Sequence, residues 1–479
     1  MYKFDTKVQE LKYRVLKEVA KLAYEDKLVE KMNEIPKIIV PGPKPTMRCC
    51  IYKERAIAAD RVALAVKKPK ESENVIHVIS IACEDCPLGG YFVGDACRGC
   101  IAHRCETVCF KKAIYFDEVT RHAHIDKTKC VNCGLCAKNC PYNAITNRVR
   151  PCEAACPVKA ISPDINGAAV INDDKCVQCG KCVYMCPFGA INDESYITEV
   201  IKYFKESENN TKYKVYAIVA PSISSQFYYA KLGQVISGLK LLGFHTVVEA
   251  ALGADMVAYK EAKELEEKGI LTSSCCPAFV SYIKKMYPSL VDNISSNLSP
   301  MAEISRYVKS VDPTSKVVFI GPCTAKKQEI KDEKVGEYVD ATLTFEEVQA
   351  LFDAKDLDIS SLKLDLLDNA SYFGRIFART GGLSDSVVEA LKEQGSDFEV
   401  KPVVCSGIDE CKLALNKFKA GKLDGNFIEG MACNGGCIGG PCCLTHEVRD
   451  KSEVDKYGHE ALEKTIESAI SAVEDIDKK

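Results

Sequence analysis

One unit recurs four times in this chain: CETVCFKKAI (105–114), CAKNCPYNAI (136–145), CEAACPVKAI (152–161) and CVYMCPFGAI (182–191). Every copy reads C-x3-C, three residues, then Ala-Ile. Two copies extend to C-x2-C-x2-C-x3-C-P, at Cys130, Cys133, Cys136, Cys140 and at Cys176, Cys179, Cys182, Cys186. A tight C-x2-C turn aims thiols and backbone N–H groups at one point, and the proline after the fourth cysteine ends the turn without presenting an unpaired donor. The repeat therefore fixes where sulfurs converge, and the Ala-Ile supplies packing.

The chain holds 27 cysteines in 479 residues. No run of about 18 apolar residues occurs and the N-terminus is charged from its third residue, so neither a transmembrane helix nor a signal peptide is expected, and the cytoplasm is the expected compartment. In a reducing compartment this cysteine usage points to metal rather than disulfides. Sixteen cysteines lie between Cys83 and Cys186, Cys49 and Cys50 precede them, and nine are dispersed from Cys275 onward. With 64 basic against 67 acidic residues and a net charge of -3, no nucleic-acid or membrane footprint is expected. The length suggests two to four domains, at roughly 100 to 200 residues each.

The full form of the repeat is the bacterial ferredoxin pattern, in which three close thiolates hold one 4Fe-4S cubane and the fourth cysteine crosses to its neighbour. The first copy is preceded by CRGCIAHRC and has Phe110 in place of proline; the third has only Cys152 and Cys156, and CEDC supplies Cys83 and Cys86 upstream. The expected sets are Cys97, Cys100, Cys105 with Cys140; Cys130, Cys133, Cys136 with Cys109; Cys176, Cys179, Cys182 with Cys156; and Cys83, Cys86, Cys152 with Cys186. That makes three to four accessory 4Fe-4S clusters. Zinc is the competitor at the CEDC and CRGC pairs. His103 lies between two ligands and reads as a surface imidazole, since each copy has enough thiolates without it.

Residues 5–33 read as an amphipathic helix within an N-terminal helical segment, 1–80, to which no chemistry attaches; 81–202 are the repeat region, and the polar stretch around KESENNTK makes 203–213 a linker. From 214 to 479, short apolar strands at KVYAIVAPS, HTVVEAA, GILTSS and KVVFIGP alternate with helical patterns. That alternation argues for an α/β domain, doubly wound with mostly parallel sheet, whose ligands bind beyond the carboxyl ends of the strands. TSSCCP and GPC fall at such ends. The repeat region is expected as small α+β ferredoxin-like domains.

Three cysteine-bearing segments, TSSCCPAFV (272–280), FIGPCTAKKQE (319–329) and FIEGMACNGGCIGGPC (427–442), closely resemble the three signature loops of the FeFe-hydrogenases, in the family's order. The resemblance implies an H-cluster: a 4Fe-4S cubane bridged through a cysteine to a diiron unit with carbon monoxide, cyanide and a bridging dithiolate. By motif position it implies Cys276, Cys323, Cys433 and Cys437 as cubane ligands, with Cys437 the bridge. Lys326 would donate to a cyanide with Glu329 beside it, Pro221 and Ser222 would contact the other cyanide, and Met431 would also touch the cofactor. Cys275 would be the terminal proton donor, fed by Glu261, Glu264 and Ser295.

What the resemblance implies is reversible interconversion of dihydrogen with protons and electrons, with a ferredoxin or similar carrier as electron partner and dedicated maturation proteins for the cofactor. The departures match a divergent branch, sometimes called group B: Ser273 for threonine, Ala278-Phe279 for Gly-Trp, Gly321 for methionine, Met301 for glutamine, no tryptophan, and extra cysteines at Cys405, Cys411, Cys442 and Cys443. The alternatives are a hydrogen-sensing relative and an iron-sulfur assembly protein of the Nar1 or Narf type.

Overall fold

The computed structural model describes residues 4–66, 74–83 and 86–474. Helix α1 (Lys7–Tyr24) starts at Thr6, whose side chain accepts from the Gln9 N–H. The helix expected over 5–33 stops at Tyr24, because Asp26 adopts a φ of 58° and only short turns follow. α1 is not a separate unit: Tyr13, Val15, Leu16 and Val19 share one core with Val215, Leu343 and Phe352. Helix α2 (Ile51–Ala65) faces the repeat region, where its Ile57 and Leu64 pack with Val75, Ile76 and Ile191.

The repeat folds the same way in each copy. Cys105, Cys136, Cys152 and Cys182 lie on helices of about one turn, and Ile114, Ile145, Ile161 and Ile191 each open a strand. The preceding alanines are buried, which is the packing role expected of Ala-Ile. An outer lobe pairs Ile114–Phe116 with Ala123–Ile125 and Gly90–Val93 with Ile145–Arg148. An inner lobe pairs Ile161–Pro163 with Ala169–Ile171 and Ile76–Val78 with Ile191–Asp193.

Residues 203–213, expected as a linker, are a folded connection. Helix α3 (Ile197–Glu206) buries Val200, Ile201 and Phe204 in the main core. The polar residues after it close a turn in which Asn210 Oδ1 accepts from the Val215 N–H at 2.8 Å.

The described residues of the large domain form seven strands: β1 (Val215–Val219), β2 (Thr246–Glu249), β3 (Leu271–Thr272), β4 (Lys316–Ile320), β5 (Ala341–Leu343), β6 (Pro402–Ser406) and β7 (Phe427–Met431). They form two parallel sheets, ordered β2-β1-β4-β5 and β3-β7-β6. Helix α4 (Ala250–Lys268) joins them, its Ala251, Ala258 and Leu265 sharing a core with Ile218, Phe319, Leu271 and Phe427. It ends at Gly269, whose φ of 75° closes the helix. Helices α5 (Pro277–Met286), α6 (Thr324–Glu329), α7 (Phe345–Ala354) and α8 (Gly382–Glu393) complete the elements around the site. Two helices, Asp450–His459 and Ile466–Glu474, follow the last strand. No helix among the described residues is long and apolar enough to cross a membrane.

Candidate active site

Loops leaving the carboxyl ends of β3, β4 and β7 bring Cys276, Cys323, Cys433 and Cys437 together. Burial pushes the Cys323 thiol up to about 12, with Cys276 and Cys437 as the next contributors and Lys326 opposing. Burial likewise raises Cys437 to about 11 and Cys433 well above the ordinary thiol range, where Cys323, Cys276 and Cys179 add to it. Cys437 opens a short 3-10 turn, Cys437–Gly439, and is itself accessible. Four thiols whose chief neighbours are one another are unfavourable as thiolates unless a cation binds them. Among the described residues no three His, Cys, Asp or Glu groups converge tightly enough for a single metal ion.

The surroundings fit a bulky, polar-decorated cofactor. Pro221 opens a 3-10 turn after β1, and the next residue, Ser222, is fully buried with no hydrogen-bond partner for its hydroxyl. Lys326, only 8% exposed, holds Glu329 Oε2 at 2.7 Å. Gly440 lies so close to Pro322 that a Cβ would stand 2.6 Å from its carbonyl oxygen. Met431, at the end of β7, is buried in the core that contains Cys275.

Two departures have steric reasons. A side chain at Gly321 would start 2.6 Å from the Phe319 ring, which fills that space. The Phe279 ring lies against Gly430, so the first loop is seated on β7, and Ser273 Oγ reinforces the contact by accepting from the Gly430 N–H at 3.1 Å.

On the other side of Cys276, Cys275 is 9% exposed and its thiol is pushed well up by burial and then by Glu261. Glu261 Oε1 accepts from the Ser274 N–H and hydroxyl, both at 3.1 Å, while Oε2 has no hydrogen-bond partner. Burial raises Glu261 to about 7, against the pull of Ser274 and Ser295. Ser295 donates to Glu264 Oε2 at 3.0 Å, and Glu264 Oε1 pairs with Lys268, whose side chain is 40% exposed. Burial opposes ionisation of Glu264, but Lys268, Ser296 and Ser295 hold it below its ordinary value. The four residues form a line from Cys275 to the surface. A cavity of about 890 Å³ lies beside the line, with Ser274, Ser295, Asn297 and Glu329 in its wall.

The sixteen accessory cysteines gather as four groups. Cys105 faces Cys140 and Cys100, with Cys97 in the same small core. Cys109, Cys130, Cys133 and Cys136 line one cavity of about 20 Å³. Cys182 faces Cys179, Cys176 and Cys156. Cys83 faces Cys186 and Cys86, and Cys152 faces Cys186. His103 stacks on Phe116 at 3.7 Å and shares a hydrogen bond with Glu106 at 3.0 Å, so it is engaged within the outer lobe.

The third group abuts the candidate centre. Thr324 Oγ1 donates to the Gln178 carbonyl at 2.8 Å, and a Cβ on Gly180 would strike Pro441 and Thr324, each 2.5 Å away.

Several residues here escaped the sequence reading. Glu429, fully buried, accepts from the Gly381 and Ser384 N–H groups at 2.7 and 2.8 Å and so anchors the start of α8 to β7; a carboxylate amid the apolar FIEGM run was the available signal. Lys327, also fully buried, donates to Asp193 at 2.8 Å and Glu347 at 2.9 Å, and Lys12 of α1 reaches Asp193 and Glu346, both at 2.6 Å. The two lysines hold Asp193 far below the usual carboxylate range despite its burial. Cys442 is buried beside this network, and Cys405 and Cys411 are buried in one cluster with Cys276. Gln9 of α1 donates to the Cys443 carbonyl at 2.7 Å, and Asp5 shares a hydrogen bond with His446 at 2.7 Å.

Residues 213–441 match the family described as iron only hydrogenase large subunit, C-terminal domain. The large domain belongs to the iron-only hydrogenase large-subunit family. Residues 123–146 match a 4Fe-4S binding domain and 146–197 the LdpA Fe-S cluster-binding domain. The chain is 29% identical over 395 residues to Iron hydrogenase 1 of Clostridium pasteurianum, covering 69% of this chain and 66% of that one. It is 28% identical to the periplasmic Fe hydrogenase large subunit of Nitratidesulfovibrio vulgaris, covering 66% of this chain and 85% of that one. The cytosolic Fe-S cluster assembly factor NAR1 of Eremothecium gossypii is 34% identical over 140 residues, 28% of this chain and 31% of that one. In fold, an FeFe-hydrogenase from Chlamydomonas reinhardtii superposes with a TM-score of 0.51 at 18% identity, covering 59% of this chain and 94% of that one.

Proposed function

We propose that this chain is an FeFe-hydrogenase that interconverts dihydrogen with protons and electrons at an H-cluster. The observation that carries the reading is the placement of two functions on neighbouring residues. Cys276 joins the four-thiol centre beside Lys326, while Cys275 heads the buried line Glu261, Ser295, Glu264.

Cys276, Cys323, Cys433 and Cys437 would hold the cubane, with Cys437 as the bridge, and the bound cofactor supplies the redox chemistry of hydrogen. Lys326 and Ser222 provide donors on two sides of it. An ammonium in so dry a place contributes about 1.5 to 3 kcal/mol per charge-assisted hydrogen bond. Buried Cys275 stays a neutral thiol, able to hold one proton and pass it to the free Oε2 of Glu261. Glu261, raised to about 7, is poised to exchange that proton near neutral pH. Ser295 relays between the two carboxylates, and Glu264 meets solvent beside Lys268.

Electrons would leave through the group of Cys156, Cys176, Cys179 and Cys182, whose loop is bonded to Thr324, and then through the other three cysteine groups, each read as a 4Fe-4S cluster. A ferredoxin or similar soluble carrier is the proposed partner, and maturation proteins would supply the diiron unit. The departures at Ser273, Phe279 and Gly321 favour the divergent branch.

The second reading, a cluster protein without the diiron unit, draws on the likeness to NAR1. Infrared spectra of protein supplied with the diiron unit separate the two. Bands of metal-bound carbon monoxide and cyanide together with hydrogen evolution are the expected result. Full cubane content without those bands overturns the hydrogenase reading in favour of the assembly-type one.

A further inference from the structure

Two arginines of the inner lobe are buried without adequate counter-charge among the described residues. Arg61, on α2, is 5% exposed; its Nη2 donates to the Gly189 carbonyl at 2.9 Å and approaches that of Phe188 at 3.5 Å, while Nε has no hydrogen-bond partner. It makes no ion pair with any described residue. Arg150 is 2% exposed; its Nη2 donates to the carbonyls of Gly167 at 2.6 Å and Cys86 at 3.3 Å, while Nε and Nη1 have no hydrogen-bond partner. Among the described residues its one nearby carboxylate oxygen, Glu153 Oε1, stands 3.9 Å off. A guanidinium stripped of water and left unpaired costs several kcal/mol, by the general size of the penalty for a buried ion. Two in one small lobe require a common explanation.

Their surroundings provide it. The charges that bear on Arg61 are Arg48, which opposes it, and Cys186, which favours it. Burial first, then Arg48, lower Arg61 to about 10, so it remains a cation at neutral pH. Arg150 stands two residues before Cys152 and holds the Cys86 carbonyl. Each guanidinium also grips the chain beside a ligand, Arg150 at Cys86 itself and Arg61 at the residues just after Cys186. Both cations therefore face one cysteine group, Cys83, Cys86, Cys152 and Cys186. A cubane with four thiolates is an anion in both redox states and gains a further negative charge when it accepts an electron.

We propose that Arg61 and Arg150 are the counter-charges of the cluster held by Cys83, Cys86, Cys152 and Cys186, and that they raise its reduction potential above those of the other accessory clusters. One electron enters the cluster and no proton need follow, because the two fixed cations already balance the added charge. The arginines are positioning and tuning residues, not ligands. The outer lobe offers no counterpart: Arg98, Arg104, Lys111 and Lys138 are all exposed, where water and salt screen them. The third group has Lys181, half-buried, and Lys285, exposed. The inner-lobe cluster is thus where an incoming electron settles first, and α2 belongs to the electron path although it supplies no sulfur.

The inference rests on the reading that this group binds a 4Fe-4S cluster, and the experiment separates the two. Full-length protein carrying its accessory clusters is analysed for iron, sulfide and zinc, and then titrated with dithionite against redox mediators while the clusters are followed by electron paramagnetic resonance. In Arg61→Gln and Arg150→Gln, iron and sulfide should match the parent. One cluster, the highest in potential, should show at least a tenfold fall in its reduced-to-oxidised ratio at fixed potential, about 59 mV in midpoint for one electron. Arg61→Lys should restore most of the parent value. Zinc, or iron short by one cluster, in the parent protein overturns the cluster reading itself. Full iron with every midpoint unmoved in Arg61→Gln overturns the role of the arginines; so does an equal fall in Arg61→Lys and Arg61→Gln. Arg61 touches no cysteine directly, so its variants carry the test if Arg150→Gln fails to fold.

Discussion

The two ferredoxin-like lobes come from the same repeat, yet they are built for different surroundings. In the outer lobe Cys133 is exposed, Cys130 is half-buried, and the core comprises little more than Ile114, Ala123 and Ile145 beside the sulfurs. In the inner lobe Cys83, Cys152, Cys182 and Cys186 are all buried, and the core takes in α2 and Ile191. The outer lobe also leaves Ile101, Phe110 and Val119 open to solvent. One sequence unit therefore folds both in an exposed lobe and in a buried one, and what differs is the protein added around it rather than the cysteine spacing. Cluster potentials respond to charge, hydrogen bonds and exposure, so the same ligands are expected to give different potentials in the two lobes.

The contrast is sharpest for the ligands themselves. Cys276→Ala should abolish activity and the cofactor's infrared bands, whereas Cys133→Ala should cost only the iron of one outer cluster; metal analysis with infrared spectra reads both. Cys275→Ala should keep the bands and lose most turnover, and unchanged turnover would refute its role as proton donor.

Next in size is the buried ion network. Lys327→Met leaves Asp193 and Glu347 without their shared cation, which should destabilise the protein by about 3 to 5 kcal/mol. In the outer lobe, Lys129→Met removes an exposed pair with Asp126 and should change stability by no more than about 1 kcal/mol. Chemical denaturation distinguishes them, and similar losses would mean that the inner region is no better insulated than the outer.

Gly180→Val, which forces a side chain into Pro441 and Thr324, should leave the iron content intact while slowing reduction of the accessory clusters by dihydrogen, measured by stopped flow.

The last effect is on pH dependence. Glu261 moves from 4.5 to about 7 on folding, so between those values the folded chain holds a proton that the unfolded chain has released. Stability should therefore fall as pH rises across this window, by up to about 1.4 kcal/mol per pH unit for this group. Glu261→Gln should flatten that slope, and an unaltered slope would place the titration elsewhere.

Much of the site is local in the sequence. Cys276, Cys323, Cys433 and Cys437 each sit in a short loop whose glycines and prolines mark it, and every repeat carries a C-x3-C pair, an alanine and a strand. Glu261 and Glu264 were singled out only through the family resemblance, since by themselves two glutamates three apart on one helix read as solvated charges. The four strands singled out in the sequence formed as buried parallel strands, since apolar runs of that length have nowhere else to go. What stayed hidden is non-local. Lys327, Asp193, Lys12 and Glu346 come from four separate elements, and each alone reads as a solvated charge. Arg61 and Arg150 are hidden for the same reason. The stretch at 203–213 misled because its polar residues satisfy backbone groups of a turn, work that leaves no apolar period.

The bond from Gln9 to the Cys443 carbonyl closes a loop of 434 residues. During synthesis α1 is made long before its partner exists, and such distant contacts form late because they carry a large loss of chain entropy. Until then the third cysteine loop lacks its cover, and the core beneath α1 stays open. Docking of α1 is thus a late event, in which Val15 and Leu444, far apart in the chain, close into one core.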